Sequence, residues 1–265
     1  MSILDEIFAH KRVEVAAAKG EMSTLALREA IQGLPEPPDF VTALKGVPGD
    51  PPRLIAEVKY RSPSKGILSP EFAPLDLARV YAEQGAAAIS VLTDQKYFGG
   101  SLDYLRDIAV LDLDVPLLRK DFIFDRYQLL EARLAGASAV LLIVAMLDSG
   151  QLHDLLSFTH ELGLHALVET HTAEEVEKAL DAGARVVGVN NRDLHTFKVS
   201  LETSLRLRPL IPSDVIMVAE SGIHHAEDVS RLAGAGVDAM LVGEGLVTAP
   251  DVAARMREFL IGFTG

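Results

Sequence analysis

The amino-acid sequence predicts an α/β protein, a closed (β/α)8 barrel carrying an N-terminal helical extension. Three observations predict it: eight short runs rich in Val, Ile, Leu and Ala, helical patterns between them, and no break between the units. The runs are 54–59, 87–92, 115–120, 139–144, 165–169, 186–190, 215–220 and 239–242. Most are apolar almost throughout, the pattern of strands covered on both faces, as in a parallel sheet wrapped by helices. Eight consecutive βα units favour closure over an open doubly wound sheet. No GxGxxG follows any run, which counts against dinucleotide binding.

Taken in chain order, about fifty residues (1–50) precede the first run. Ile3, Leu4, Ile7 and Phe8 share one helical face, the segment between Lys11 and Lys19 continues that helix, and Pro35, Pro37 and Pro38 interrupt it. The segment is too poor in large apolar residues to build its own core, so 1–265 is expected to be one domain. Between the strands, Leu102, Leu105 and Ile108, and Val176 with Leu180, repeat at helical spacing, while Asp125, Asp148 and Thr172 stand at helix starts. Gly-Ala pairs at Gly85-Ala86, Gly136-Ala137, Gly183-Ala184 and Gly234-Ala235 precede every second strand, where the glycine suits a left-handed helix end.

Composition narrows the function. With 49% apolar and 24% charged residues the chain is globular rather than disordered. The longest apolar run, 139–147, falls far short of the roughly 20 residues that span a bilayer. MSILDEIFAHKR carries charges among its apolar residues and no small-residue cleavage site, so no signal peptide is expected. Zero cysteines exclude disulfides, zinc–thiolate sites and thiol nucleophiles, and the cytoplasm is the expected location. A net charge of −13 repels nucleic acid and anionic membranes. An anionic ligand therefore needs locally placed cations and backbone N–H groups.

Such groups stand at the strand ends, the face on which barrels of this kind carry their active sites. The ends read Glu57-Val58-Lys59, Thr93-Asp94, Lys120-Asp121, Glu169-Thr170, Asn190-Asn191-Arg192, Glu220-Ser221-Gly222 and Gly243-Glu244-Gly245. Side chains alternate along a strand, so Glu57 and Lys59 share a side; facing outward they would meet the apolar helix layer. Glu57, Lys59, Lys120, Glu169 and Glu220 are therefore expected to converge in one bowl. Ion pairs that merely stitch the barrel top explain one Lys–Glu pair, but burying charges on four strands costs several kcal/mol per ion, so a site is the better reading.

The loops with Ser221-Gly222 and Gly243-Glu244-Gly245 follow strands seven and eight, where phosphate is commonly held, and the Glu244 side chain is expected to point away from it. The long segment 60–74, with Ser62, Ser64 and Lys65, reads as a lid, and Ser62 could add a hydroxyl to the phosphate site. The eight histidines, His224-His225 included, lack metal-ligand spacing and are assigned to the surface or to helix caps, and no GxSxG elbow exists.

Together IAEVKYRSPSKG (55–66), LTDQKYFGGSLDYL (92–105), LLRKDFIFDRYQ (117–128), LVETHT (167–172), VGVNNRDLHTF (187–197), VAESGI (218–223) and LVGEGLV (241–247) resemble the indole-3-glycerol phosphate synthase family in order and spacing. ILDEIFAHKRVEVAAAK (3–19) resembles that family's extra N-terminal helix, which the resemblance places at the barrel mouth beside 60–74. Tyr60-Arg61, Lys198, Gly245 and Thr248 depart from the family pattern, none at a catalytic position.

The resemblance implies conversion of 1-(2-carboxyphenylamino)-1-deoxyribulose 5-phosphate to indole-3-glycerol phosphate, CO2 and water, in tryptophan biosynthesis. It implies Lys120 as the acid for ring closure, with Lys59 as its rival and a pKa lowered toward neutrality. Lys59 and Asn190, with Arg192, would orient the carboxylate. Glu169 and Glu57 would be the acid–base pair of dehydration, Glu220 would orient lysines, and Ser221 would touch the ligand. Ser62, Gly222, Gly243, Glu244 and Gly245 would hold phosphate. No metal or organic cofactor is expected, and the expected partner is a small sugar phosphate, with the chain a monomer or at most a weak dimer. Two other readings remain: a Schiff-base aldolase using Lys120 or Lys59, and a non-catalytic phosphate-binding barrel.

Overall fold

A computed structural model describes residues 3–47, 49–63, 65–193, 196 and 198–261, and in it eight parallel strands close into a barrel. The strands are β1 (Arg53–Val58), β2 (Ala88–Leu92), β3 (Leu117–Lys120), β4 (Ala139–Ile143), β5 (His165–Thr170), β6 (Val186–Asn190), β7 (Ile216–Glu220) and β8 (Ala239–Val242). β8 returns to β1 in the register Arg53↔Ala239 to Ala56↔Val242, which closes the ring. The third strand starts at Leu117, two residues later than the apolar run, after Pro116, whose nitrogen has no hydrogen to give a ladder. Of the sequence motifs, Ser64 in the lid segment and Leu194, His195 and Phe197 in the sixth-strand segment lie outside the described residues.

The helices are α1 (Ile3–Glu21), α2 (Thr24–Ala30), α3 (Phe40–Ala43), α4 (Pro74–Glu83), α5 (Leu102–Ala109), α6 (Arg126–Leu134), α7 (Ser149–Glu161), α8 (Ala173–Asp181), α9 (Glu202–Leu207), α10 (Ala226–Gly234), α11 (Glu244–Val247) and α12 (Val252–Ile261). The three helix starts read from the sequence are N-caps: Asp125 accepts from Tyr127 N, Asp148 from Gln151 N and Thr172 from Glu175 N. The glycine repeat needs correcting in its last member. Gly85, Gly136 and Gly183 have positive φ, but Gly234 still belongs to α10 and Gly236, at φ 75°, makes the turn. Gly163 does the same before β5, so the signal is not confined to alternate strands.

Period-two alternation sorts the strand side chains into two cores. Ile55, Leu118, Leu141, Leu167, Val218 and Leu241 fill the barrel, while Ala56, Ile89, Leu142, Val168, Val187 and Met240 lie under the helices. The N-terminal extension serves both ends. Phe40, Val41 and Leu44 join the interior cluster beside Ala139, Val186 and Ile216, the first residues of their strands, and so plug the barrel bottom. α1 reaches the opposite end, where Ile3, Leu4 and Ile7 line the mouth. α2 packs against α6, as does α1, whose Ala18 O accepts from the Tyr127 hydroxyl at 2.8 Å.

One premise of the sequence reading fails. Charged side chains do occupy the layer between strands and helices: Arg119 is buried there, donating to Gln128 O at 2.7 Å and pairing with Asp121 and Glu131, both at 3.2 Å. Outward charge is tolerated where partners meet it at once.

Candidate active site

Strand parity carries the chemistry to the mouth. Two residues beyond the interior-facing Ile55, Leu118, Leu167, Val218 and Leu241 come Glu57, Lys120, Glu169, Glu220 and Gly243. Glu57, Lys59, Ser62, Lys120, Glu169, Asn190, Arg192, Glu220, Ser221, Gly222, Gly243, Glu244 and Gly245 line a single cavity. Lys120 Nζ sits 3.6 Å from Glu169 Oε2 and 3.5 Å from Glu220 Oε2, and Lys59 Nζ sits 3.1 Å from Glu57 Oε1.

These charges are under-compensated. Glu57, Glu169 and Glu220 are all buried, and neither carboxyl oxygen of Glu220 has a hydrogen-bond partner. Burial pushes the Glu220 carboxyl up; Lys120 pulls it down, Glu169 and Glu57 push it further up, and it comes to rest at about 8. The expectation for Lys120 is reversed. Burial lowers its ammonium, but Glu220, Glu169 and Glu57 outweigh burial and hold it well above the usual lysine value. Lys59, the rival lysine, is paired with Glu57. Glu169 goes the other way: burial raises it, and Lys120, His171 and an Asn190 hydrogen bond bring it below the usual range.

Glycine makes room for this cluster. A Cβ on Gly188 would lie 2.2 Å from Glu220 Oε1, and one on Gly243 would lie 2.3 Å from Glu57 Oε1. Gly243, read from sequence as a phosphate residue, thus has a second reason to be glycine. Beside it, Ser221 adopts φ 66°, a conformation uncommon outside glycine, and Asn191 braces it by donating from Nδ2 to Ser221 O at 3.0 Å. Gly222 follows at φ 79°. Glu244, expected to point away, also lines the cavity, and its carboxylate takes the Lys65 ammonium. That ion pair ties 60–74 to the loop after β8, while Arg61 holds the carbonyls of Gln95 and Lys96.

The family model described as "Indole-3-glycerol phosphate synthase" matches residues 4–259. The chain belongs to this family. A Dehalococcoides mccartyi protein named indole-3-glycerol phosphate synthase is 51% identical, over 97% of this chain and all of its own length. Proteins of that name from a Roseiflexus species and from Chlorobium chlorochromatii are also 51% identical, over 97% and 93% of this chain and 97% and 95% of theirs. Solved structures that are far more distant in sequence share the barrel. 3-Hexulose-6-phosphate synthase from Salmonella typhimurium has TM-score 0.63 at 16% identity, covering 78% of this chain and 96% of that one. Thiamine phosphate pyrophosphorylase from Pyrococcus furiosus has TM-score 0.59 at 19% identity, covering 78% and 93%.

Several features of this indole-3-glycerol phosphate synthase family member escaped the sequence reading. The cavity has an apolar flank: Phe98 and Phe122 lie with ring centroids 6.0 Å apart, Ile3, Leu4 and Ile7 join them, and Lys59 Nζ stands 5.5 Å from the Phe98 centroid. Phe8 does not line it, packing instead on Phe124 at 5.5 Å. Both lining phenylalanines were in motifs already noted, but nothing in an isolated aromatic residue says which wall it faces.

Lys11 is the larger omission. Its buried ammonium lies 2.9 Å from Asp94, 2.9 Å from Asp121 and 2.6 Å from Glu14. Two of the strand-end acids are thus tied to α1, although Asp121 also lines the cavity. With Tyr97 donating to Glu6 at 3.0 Å, α1 makes polar contacts to the loops after β2 and β3, while Ile3, Leu4 and Ile7 line the same cavity as Ser62 and Pro63 of 60–74. His171 also departs from expectation. It is neither a surface residue nor a cap but is wedged between Glu169 and Glu175. His224 lines the cavity. Among the described residues no cluster of three or more His, Asp or Glu side chains could hold a metal ion, and no helix is long and apolar enough to cross a membrane.

Proposed function

We propose that this chain closes, decarboxylates and dehydrates 1-(2-carboxyphenylamino)-1-deoxyribulose 5-phosphate, yielding indole-3-glycerol phosphate. The observation that carries the reading is the position of Lys120: an ammonium between two buried acidic side chains, in a cavity that phenylalanines and glycine loops also line. The phenylalanine flank suits the anthranilate ring, Lys59 and Arg192 its carboxylate, and Ser62, Gly222, Gly243, Glu244 and Gly245 the phosphate. Ring closure turns the ketone into an alkoxide. Lys120, held as an ammonium by its acidic neighbours, stabilises it, then hands over a proton, because an alkoxide is far the stronger base. Glu169 and Glu57 serve dehydration, one taking the methylene proton while the other protonates the departing hydroxyl. Glu220 holds Lys120 in line, Asn190 steadies Glu169, and Ser221 meets the ligand. The cysteine-free composition supports a cytoplasmic setting.

The state of Lys120 favours this over the aldolase reading, since a Schiff base needs a neutral amine. The test is direct. The product is an indole and the chain has no tryptophan, so turnover is expected to raise indole fluorescence against a dark background. Loss of substrate without that signal, or borohydride-stable labelling of Lys120, would overturn the reading.

A further inference from the structure

Decarboxylation and dehydration together impose a proton demand. The substrate carboxylate leaves as neutral CO2 and the hydroxyl as water. Ring closure consumes a proton at the alkoxide, water formation consumes another, and the methylene carbon returns one. Each turnover therefore takes a net proton from solvent, and of the groups that deliver it Glu169 is buried.

β5 carries a connection to the outside. Glu169 Oε2 faces Lys120 at 3.6 Å, and Glu169 Oε1 faces His171 Nε2 at 3.5 Å. On the far side of the ring, His171 Nδ1 lies 3.2 Å from Glu175 Oε2, which also accepts the His171 backbone N–H at 2.7 Å. His171 Nε2 is buried and has no hydrogen-bond partner, while the Glu175 side chain keeps 21% of its surface in water. The row Lys120–Glu169–His171–Glu175 thus crosses the barrel wall from cavity to solvent.

We infer that His171 and Glu175 form a proton inlet that recharges the Lys120–Glu169 pair between turnovers. The inference rests on the role proposed for that pair. In the step, Nε2–H passes its proton to Glu169 Oε1 and keeps the bonding electrons, while a solvent proton carried by Glu175 arrives at Nδ1. Glu169 gives its proton from Oε2 to the neutral Lys120 amine, and the ring, now protonated at Nδ1, turns by half a rotation about Cβ–Cγ to bring that N–H toward Glu169 for the next cycle. The charged groups facing His171 are Glu169 from β5, Glu175 from α8 and Glu220 from β7, all acidic. They outweigh burial and raise its pKa.

The test compares two kinetic regimes. His171→Gln is expected to lower steady-state kcat by roughly 10²-fold with KM little changed, to slow a single turnover under enzyme excess much less, and to recover with added imidazole. Glu175→Gln, which keeps an acceptor for the His171 N–H and so preserves the start of α8, is expected to show the same pattern more weakly. Unchanged kcat in both variants, or equal loss in both regimes with no imidazole rescue, would overturn the inlet. Glu169→Gln is the control on the underlying role: if it turns over normally, the assignment of Glu169 fails, and the inlet fails with it for a separate reason.

Discussion

Two lysines, buried Lys11 and half-buried Lys120, sit among acidic side chains at the same end of the barrel, and they are solved differently. Lys11 reaches Asp94 and Asp121 at 2.9 Å each, and Asp94 Oδ1 also takes the Tyr97 and Phe98 backbone N–H groups. Asp121 gains Arg119 and the Thr93 hydroxyl; burial works against its charge, but Lys11 and Arg119 win and pull it down to about 2. Lys120 stands 3.5–3.6 Å from its carboxylates, and Glu220 keeps two oxygens without hydrogen bonds where the Lys11 cluster keeps one, Asp94 Oδ2. The first cluster is the tighter clamp; the second leaves more of its charge unmet and open toward the cavity. Adjacent residues, Lys120 and Asp121, belong to different clusters because a strand turns alternate side chains to opposite faces. A buried charge cluster is thus read by what remains unsatisfied in it.

The contrast predicts opposite mutational profiles. Lys120→Ala is expected to lower kcat by about 10²–10⁴-fold or more, while inorganic phosphate still competes with substrate as in the wild type. Steady-state kinetics with phosphate inhibition checks both, and near-native kcat would take Lys120 out of the mechanism. Lys11→Met should do the reverse. It strands Asp94 and Asp121 without their shared cation, at a cost of about 3–5 kcal/mol by denaturant unfolding, yet leaves kcat near native well below the melting temperature. A large loss of kcat in the folded variant would place the clamp in catalysis. A truncated chain starting near Pro38 sharpens the same point, since it lacks Lys11 together with the Ile3, Leu4 and Ile7 flank. It is expected to raise KM as well as lower Tm, and native kinetics would make α1 purely structural.

Smaller effects separate the glycines. Gly243→Ala brings a Cβ within 2.3 Å of Glu57 Oε1, so kcat should fall along with a rise in KM. In Gly222→Ala the clash is with Val199 Cγ1 at 2.5 Å and the backbone is strained at φ 79°, so KM alone should rise. Identical kinetic profiles for the two would remove the link between Gly243 and Glu57. The smallest effect is on stability. The folded pKa of Glu220 is raised from 4.5 to about 8, so its contribution is full below pH 4.5 and is lost as pH rises through about 8. Glu220→Gln, which mimics the protonated acid, should therefore raise Tm by a few degrees at pH 9 and hardly at all at pH 5. Equal gains at both pH values would contradict the shift.

Strand positions and mouth residues were legible in the sequence because apolar runs and period-two alternation are local signals. Glu57, Lys120, Glu169 and Glu220 followed from where each run ends. Lys11, Phe98 and His171 did not, because their roles depend on which helix or loop crosses the mouth. Lys11 and Asp121 are far apart in the chain, and no local pattern pairs them. The direction of the Lys120 shift was missed for the same reason: the residues alone do not say that its neighbours are three carboxylates rather than a second cation.

The difference between the clusters is most directly tested by carboxyl ¹³C NMR titration of the ligand-free protein, with Glu220→Gln and Asp121→Asn assigning the two signals. A glutamate carboxyl titrating near pH 8 that disappears in Glu220→Gln, beside an aspartate titrating near pH 2 that disappears in Asp121→Asn, is the expected result. Both groups titrating together near the ordinary carboxylate value of about 4 would contradict it.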